Sequence, residues 1–256
     1  MNRKEPTMID LLIDTHLSLE RQGPGSTEST EMALGFIKGL SETSQIADLG
    51  CGTGEEVITI AKKTKGTITG LDLFPSFIDS FTKRMIQNGL SDRVKGVVGD
   101  MTNLPFERNS FDLIWSEGAI DSIGFERGIS HWRSFLKNEG YLVVTCPSWL
   151  TSEKPEVVKE FWESAGSSLN TVDENIKALV ENGYRYIASF TIPDECWTEN
   201  YFIPRSRSIA LLSEKYEENE TMKTFIDQNR YETELFSKYS MFYGYVFYIA
   251  KAIRTN

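Results

Sequence analysis

"IADLGCGTGEEVITIA", residues 46–61, changes character halfway along. Residues 46–49 are an apolar run of strand type, and from Glu55 the apolar residues recur at helical spacing. Between them, Gly50, Gly52 and Gly54 occupy alternate positions where a strand must become a helix. Glycine permits a tight turn there and lets a ligand approach the main chain with no Cβ in the way. The helix that follows offers unpaired N–H groups at its start.

Outward from this loop the chain alternates. Upstream, residues 7–21 read as an amphipathic helix, "RQGPGSTEST" (21–30) as a loop, and a second helix runs to about residue 40 from a cap at Ser29 or Thr30. Downstream, helices are expected at 55–63 and 75–88, across "RGISHWRSFLKN" (127–138), and at 155–164 and 171–182. Strands are expected at 67–73, 94–98, 111–115, 140–146, 184–192 and 242–252, with a long insertion at 193–240. This order defines an α/β, Rossmann-like sheet, mostly parallel, with helices on both faces. Ligands of such sheets bind outside the carboxyl ends of the strands.

Composition narrows the function. The 256 residues include 27 Lys and Arg against 37 Asp and Glu, a net charge of −10, which disfavours a broad nucleic-acid footprint. No stretch approaches the ~20 apolar residues of a spanning helix, so no membrane partner is expected. "MFYGYVFYIAKAI" (241–253) is short and aromatic-rich, like a buried strand. Asp10 and Asp14 interrupt the N-terminal apolar run, and no small-residue cleavage site follows, so it does not read as a leader. Cys51, Cys146 and Cys196 lack CxxC spacing, which argues against disulfides and a metal site and for a cytoplasmic protein. The acidic run "EKYEENE" (214–220) reads as solvated helix surface.

The loop itself excludes two ligand classes. The phosphate-binding pattern GxxxxGK[ST] is absent. In the dinucleotide pattern GxGxxG the third glycine would come one residue later, and Glu55 stands where a glycine or alanine closes it. A glutamate at the helix start repels a pyrophosphate, and Asp48 at the mouth of the loop suits a positive group. The combination suits a nucleoside carrying an amino acid. Asp72 lies 72 − 54 = 18 residues beyond the last loop glycine, the spacing of a ribose-binding acid; the alternative is a solvent-facing aspartate. Asp100 ends the third strand, placed for an adenine amino group or as a plain turn aspartate, with Met101 beside it to cover a ring face.

"DLGCGTG", "GLDLF", "GDMTNLPF", "FDLIWSEGAI" and "FLKNEGYLVV" follow in the order and spacing of the class I S-adenosylmethionine-dependent methyltransferases. The chain resembles that family over about residues 30–150, and is most similar to small-molecule enzymes of the ubiquinone/menaquinone-biosynthesis type. The resemblance implies a seven-stranded sheet with an antiparallel last strand and S-adenosyl-L-methionine as cofactor. It implies that Asp48, Gly50, Gly52 and Gly54 surround the methionine portion and ribose. Asp72 and Leu73 would hold the ribose and flank the adenine, Asp100 and Met101 would read the adenine, and Ser116 and Glu117 would lie near the donated methyl. No nucleophilic role is implied for Cys51. One methyltransferase domain is expected over 1–256: N-terminal helices or lid at 1–41, donor-binding core at 42–150, substrate-side half at 151–256.

For the small-molecule acceptor, Trp197, Tyr201 and Phe202 supply aromatic surface and Arg205 and Arg207 positive charge, unless the aromatics merely pack the insertion onto the sheet. "RQGPGS" (21–26) is a second lid or a plain linker. His16 and Asp121 are the general-base candidates; His131, on a helix of the outer face, reads as structural. The aromatic C-terminal region leaves a homodimer open. A non-catalytic binder of S-adenosylmethionine, as sensor or assembly protein, is the alternative function; a nicotinamide-dependent oxidoreductase is disfavoured by the glycine spacing.

Overall fold

The computed structural model describes residues 5–216 and 219–253. The centre of the acidic run, and both ends of the 1–256 domain, lie outside the described residues. In chain order come α1 (Met8–Leu17), α2 (Thr27–Leu34), β1 (Gln45–Leu49), α3 (Glu55–Lys63), β2 (Thr67–Asp72), α4 (Pro75–Gln87), β3 (Val94–Val98) and β4 (Phe111–Ser116). A 3-10 turn at Ile120–Ser122 leads to α5 (Phe125–Trp132), β5 (Leu136–Trp149), α6 (Glu156–Ser164), β6 (Asn170–Thr171), α7 (Val172–Glu181) and β7 (Tyr184–Thr191). The insertion forms α8 (Glu195–Trp197), a π-helical turn (Thr198–Phe202), α9 (Ile203–Lys215) and α10 (Glu220–Tyr239), before β8 (Tyr243–Ala252).

The sheet order is β3-β2-β1-β4-β5-β8-β7, with β6 on the end of β5. β8 runs antiparallel to both β5 and β7, and the strands from β3 to β5 are parallel. The chain grows outward from β1 in both directions, so the strand order reverses between β1 and β4, where such sheets open a crevice. Side chains alternate between faces along a strand. Ile46, Leu113 and Trp115 join Val57, Ile60 and Phe81 in the core on one face. Ala47, Leu49, Ile114 and Leu142 join Ile129 and Trp132 on the other.

Where the elements differ from the sequence reading, local chemistry explains it. Ser26, not Ser29 or Thr30, caps α2: its hydroxyl accepts the Ser29 N–H, and the helix stops at Leu34. Thr7 and Asp10 form a capping box that starts α1, which ends at Leu17. Residues 136–138 are strand rather than helix, because Leu136 pairs with Phe111. Sheet pairing there overrides helix propensity, and Glu139, at φ 63°, carries the irregularity. The short β6, paired with Ser148 and Trp149, has no sequence signal of its own.

The insertion and α1 form a cap above the strand ends. Trp197 stacks on Phe236 with ring centroids 4.5 Å apart, and its edge meets Tyr245 of β8. Ser18 donates to Ser208 (2.8 Å), which donates to the Thr15 carbonyl (2.9 Å), joining α1 to α9. Among the described residues, no helix is long and apolar enough to cross a membrane, and no group of three His, Cys, Asp or Glu side chains could hold a metal ion.

Candidate active site

A crevice of about 750 Å³ opens at the switch point. The glycine loop forms its floor. Gly50 and Cys51 donate their N–H groups to the Leu71 carbonyl at 2.7 and 3.1 Å, locking the loop against β2. Gly52 donates to Asp72 Oδ2 and Phe74 to Asp72 Oδ1, both at 2.9 Å. Asp72 thus braces two loops with one carboxylate while lining the crevice. Each of its oxygens keeps a second lone pair for a ligand. Burial pushes its pKa up, against the pull of the Phe74 and Gly52 N–H groups.

Of the residues named from sequence, Gly50, Gly52, Asp72, Leu73, Asp100, Met101 and Glu117 line this one space. Leu73, 60% exposed, offers an apolar face at the lip. Asp100 combines both of its readings: one oxygen accepts the Thr102 N–H at 2.7 Å in a turn, and the side chain still borders the crevice. Gly54 lies behind the floor against Phe81. Ser116 is buried, its hydroxyl donating to the Leu49 carbonyl at 2.7 Å, and ties β4 to β1.

One end of the crevice is strongly acidic. Asp48 is 0% exposed, and among the described residues neither of its oxygens meets a hydrogen-bond donor. Burial, then the neighbouring Glu56 carboxyl, push its pKa well up. Glu56, in the first turn of α3, lines the crevice; burial raises it to about 7. Glu117 accepts from Arg21 (3.1 Å), the Thr30 hydroxyl (2.8 Å) and Trp115 Nε1 (2.9 Å). Sequence reading missed Arg21 and Glu56 as wall residues. Arg21 was legible only as part of a lid, and Glu56 only as one of two acids opening a helix.

The segment after α1 lies as a strap across the floor. Gln22 Oε1 accepts the Thr53 N–H at 2.8 Å, and Gln22 Nε2 donates to the His16 and Leu19 carbonyls. Gly23 and Pro24 border the crevice.

The expected acceptor residues are placed differently. Trp197 (2% exposed) and Tyr201 are cap core, and neither lines the crevice. Arg205 offers no free charge: it pairs with Glu232 and donates to the Tyr201 hydroxyl at 3.2 Å and the Asn229 carbonyl at 3.1 Å. Its guanidinium also lies 4.7 and 4.9 Å from the Tyr201 and Phe202 ring centres. His16 belongs to the same network. Its Nδ1 lies 2.7 Å from the Leu12 carbonyl, which can only accept, so Nδ1 carries the proton and Nε2 accepts from the Tyr201 hydroxyl at 3.0 Å. Burial lowers the His16 pKa to about 4, with Arg205 adding to it and the hydrogen bond to the Leu12 carbonyl working against it. Asp121, beside the crevice after β4, has one buried oxygen with no partner among the described residues, and burial raises it to about 6.

His16 gives a pH prediction. Its folded pKa is depressed below the unfolded value, so the unfolded chain binds the extra proton and stability is lost as pH falls below 6.5. Between pH 6.5 and 4.5 the loss is about 2 kcal/mol. Urea unfolding should show this slope in the wild type and a shallower one in His16→Gln; equal slopes would remove His16 as its source.

The comparisons with known proteins agree with this geometry. Residues 46–140 match the family described as "Methyltransferase domain". The architecture is shared with a methyltransferase from Geobacter sulfurreducens solved with S-adenosyl-L-homocysteine: TM-score 0.82 at 18% identity, covering 94% of this chain and 97% of that one. Methyltransferase GfsG of Streptomyces halstedii is 32% identical over 147 residues, 56% of this chain and 52% of that protein. Sterol 24-C-methyltransferase ERG6A of Gibberella zeae is 35% identical over 159 residues, 58% of this chain and 41% of that protein. The chain therefore spans about half or less of the length of these curated relatives. By fold the chain shares the Rossmann-like architecture of these methyltransferases, and residues 46–140 are the part that matches the methyltransferase-domain family.

Proposed function

We propose that the protein is an enzyme that transfers a methyl group from S-adenosyl-L-methionine to a small-molecule acceptor by in-line displacement. The observation that carries this is the convergence, in one crevice, of a ribose-type acid at Asp72, an apolar lip at Leu73 and Met101, and an acidic end with a single guanidinium. The residues present fit the donor. Asp72 has lone pairs for a vicinal diol, Asp100 can accept from an adenine amino group, and the charge deficit around Asp48 matches an ammonium and a sulfonium. When bound, S-adenosylmethionine supplies a methyl already activated on sulfur. The protein's share is alignment and exclusion of water, to which the Gln22 strap and α1, whose Leu12 lines the crevice, contribute the cover.

For the acceptor, the reading is a molecule without negative charge at its reacting end. Arg205 is committed to Glu232 and Arg21 to Glu117, so neither is available to an anion. If the acceptor must lose a proton, Asp121 is the base we propose, since one of its oxygens is buried without a partner among the described residues and its pKa is raised to about 6. The quinone-type subtype finds support in a demethylmenaquinone methyltransferase of Lactiplantibacillus plantarum, 34% identical over 77 residues.

Thermal shift with S-adenosylhomocysteine against NAD tests the donor, and transfer of labelled methyl to a metabolite pool tests catalysis. Stabilisation by about 2.7 kcal/mol is expected at 100 times the dissociation constant. With an acceptor found, activity should rise with pH through about 6 and lose that dependence in Asp121→Asn. Binding without transfer to any acceptor would favour the non-catalytic alternative.

A further inference from the structure

Beyond Thr102 the crevice continues into a side recess of about 380 Å³, lined by Thr102, Ile123, Arg127, Ser130 and His131. Thr102, Ile123 and Arg127 border both spaces, so the two are continuous. Helical spacing builds one wall. Arg127, Ser130 and His131 stand at i, i+3 and i+4 on α5 and share one face. Thr102 stands on the other wall, in the turn after β3. Trp132 Nε1 donates to the Met101 carbonyl at 3.0 Å, which pins that turn to α5 and fixes the two walls against each other.

The lining is cationic. Arg127 is exposed and makes no hydrogen bond or close ion pair among the described residues, whereas Arg21, at the acidic end, is paired with Glu117. Ser130 adds a hydroxyl on the same helix face. His131 adds an imidazole whose Nε2 is buried with no partner among the described residues, and buried polar atoms of that kind are few. No carboxylate lines the recess among the described residues. Asp100, on the crevice side, is turned to Thr102, whose N–H it accepts at 2.7 Å. Its hydrogen bonds from Thr102 first, then Arg127 and His131 at longer range, hold its carboxyl below the usual range.

A guanidinium without a partner presents a planar fork of N–H groups that matches two oxygens of a tetrahedral oxyanion. We infer that the recess is a binding site for a phosphate group. The inference goes beyond the methyl-transfer reading: the contacts proposed for the donor place no anionic group at its adenine edge, next to Thr102. The recess is larger than a phosphate ion alone and opens into the crevice, so the phosphate is either the free ion or a monoester on an acceptor lying along the crevice. In the second case it sits away from the acidic end, where Glu56 and Glu117 would repel it.

The chain has two histidines, so imidazole proton resonances of the full chain read the recess at His131 and the cap at His16 separately. Titration with inorganic phosphate, against chloride at equal ionic strength and constant pH, should move the His131 resonances saturably, with a dissociation constant on the order of 1 mM. The resonances of His16, buried in the cap, should stay still. Arg127→Ala should weaken phosphate binding at least tenfold, with unchanged His16 resonances showing that the variant is folded. Saturation with S-adenosylhomocysteine should leave the phosphate titration in place. A response no different from that to chloride would overturn the inference. So would a titration unaltered in Arg127→Ala, or competition between phosphate and S-adenosylhomocysteine. Failure of S-adenosylhomocysteine to bind would overturn the donor assignment alone. Treating the metabolite pool with alkaline phosphatase before the labelled-methyl assay separates the two sources. Loss of transfer places the phosphate on the acceptor, and transfer that persists assigns the recess to the free ion.

Discussion

Asp72→Ala is expected to weaken S-adenosylhomocysteine binding by at least 100-fold. The wild-type carboxylate offers lone pairs to two ribose hydroxyls, and hydrogen bonds to a charged group contribute about 1.5–3 kcal/mol each. Losing both removes roughly 3 kcal/mol or more, and every 1.4 kcal/mol is tenfold in affinity. A second loss runs through the floor. The Gly52 and Phe74 N–H groups both donate to this side chain, and the alanine leaves them without that acceptor. The loop after β1 and the start of α4 then lose their common brace. Calorimetry on the variant measures the first effect, and thermal unfolding without ligand the second. A lower melting temperature with unchanged affinity would make Asp72 a brace only and would remove it from the ligand site.

Features that depend on neighbours in sequence were legible beforehand. The α3 span from Glu55 to Lys63 and the β3 span from Val94 to Val98 follow from apolar periodicity and flanking breakers alone. The crevice-lining residues at strand ends follow from the order of elements, since the switch point of a parallel sheet fixes where the loops converge. What sequence did not show were pairings across long separations. Arg205 looked available because its partner, Glu232, lies 27 residues on, in another helix. Trp197 looked like pocket surface because nothing local reveals that Phe236 and Tyr245 enclose it. Glu56 looked like a helix-opening acid. Its neighbours, Asp48 beneath it and Arg21 above, come from a strand and a strap that meet only in the fold. The functional charges of this site are thus set by tertiary placement, whereas its backbone cradle is set by local sequence.

Gly54→Ala tests that cradle at its least forgiving point. Gly54 caps α3 at φ 87°, in the left-handed region. An L side chain there costs about 1–2 kcal/mol by itself. The added Cβ would also stand 2.6 Å from the Phe81 ring and 2.9 Å from the Met85 methyl, both in the core between sheet and helices. Overpacking of this kind costs typically about 1–3 kcal/mol, so the variant should lose roughly 2–5 kcal/mol, enough to unfold a domain of ordinary marginal stability. Gly52→Ala separates the two causes. Its φ of 50° is also left-handed, but the new Cβ meets the amide oxygen of Gln22, the end of a flexible side chain that can swing away. That variant should lose the backbone strain of about 1–2 kcal/mol and, as the strap is released, the Gln22–Thr53 hydrogen bond, but none of the core overpacking. Urea unfolding of the two variants side by side measures the difference. Equal losses would mean that backbone strain alone governs the loop and that Phe81 yields without cost.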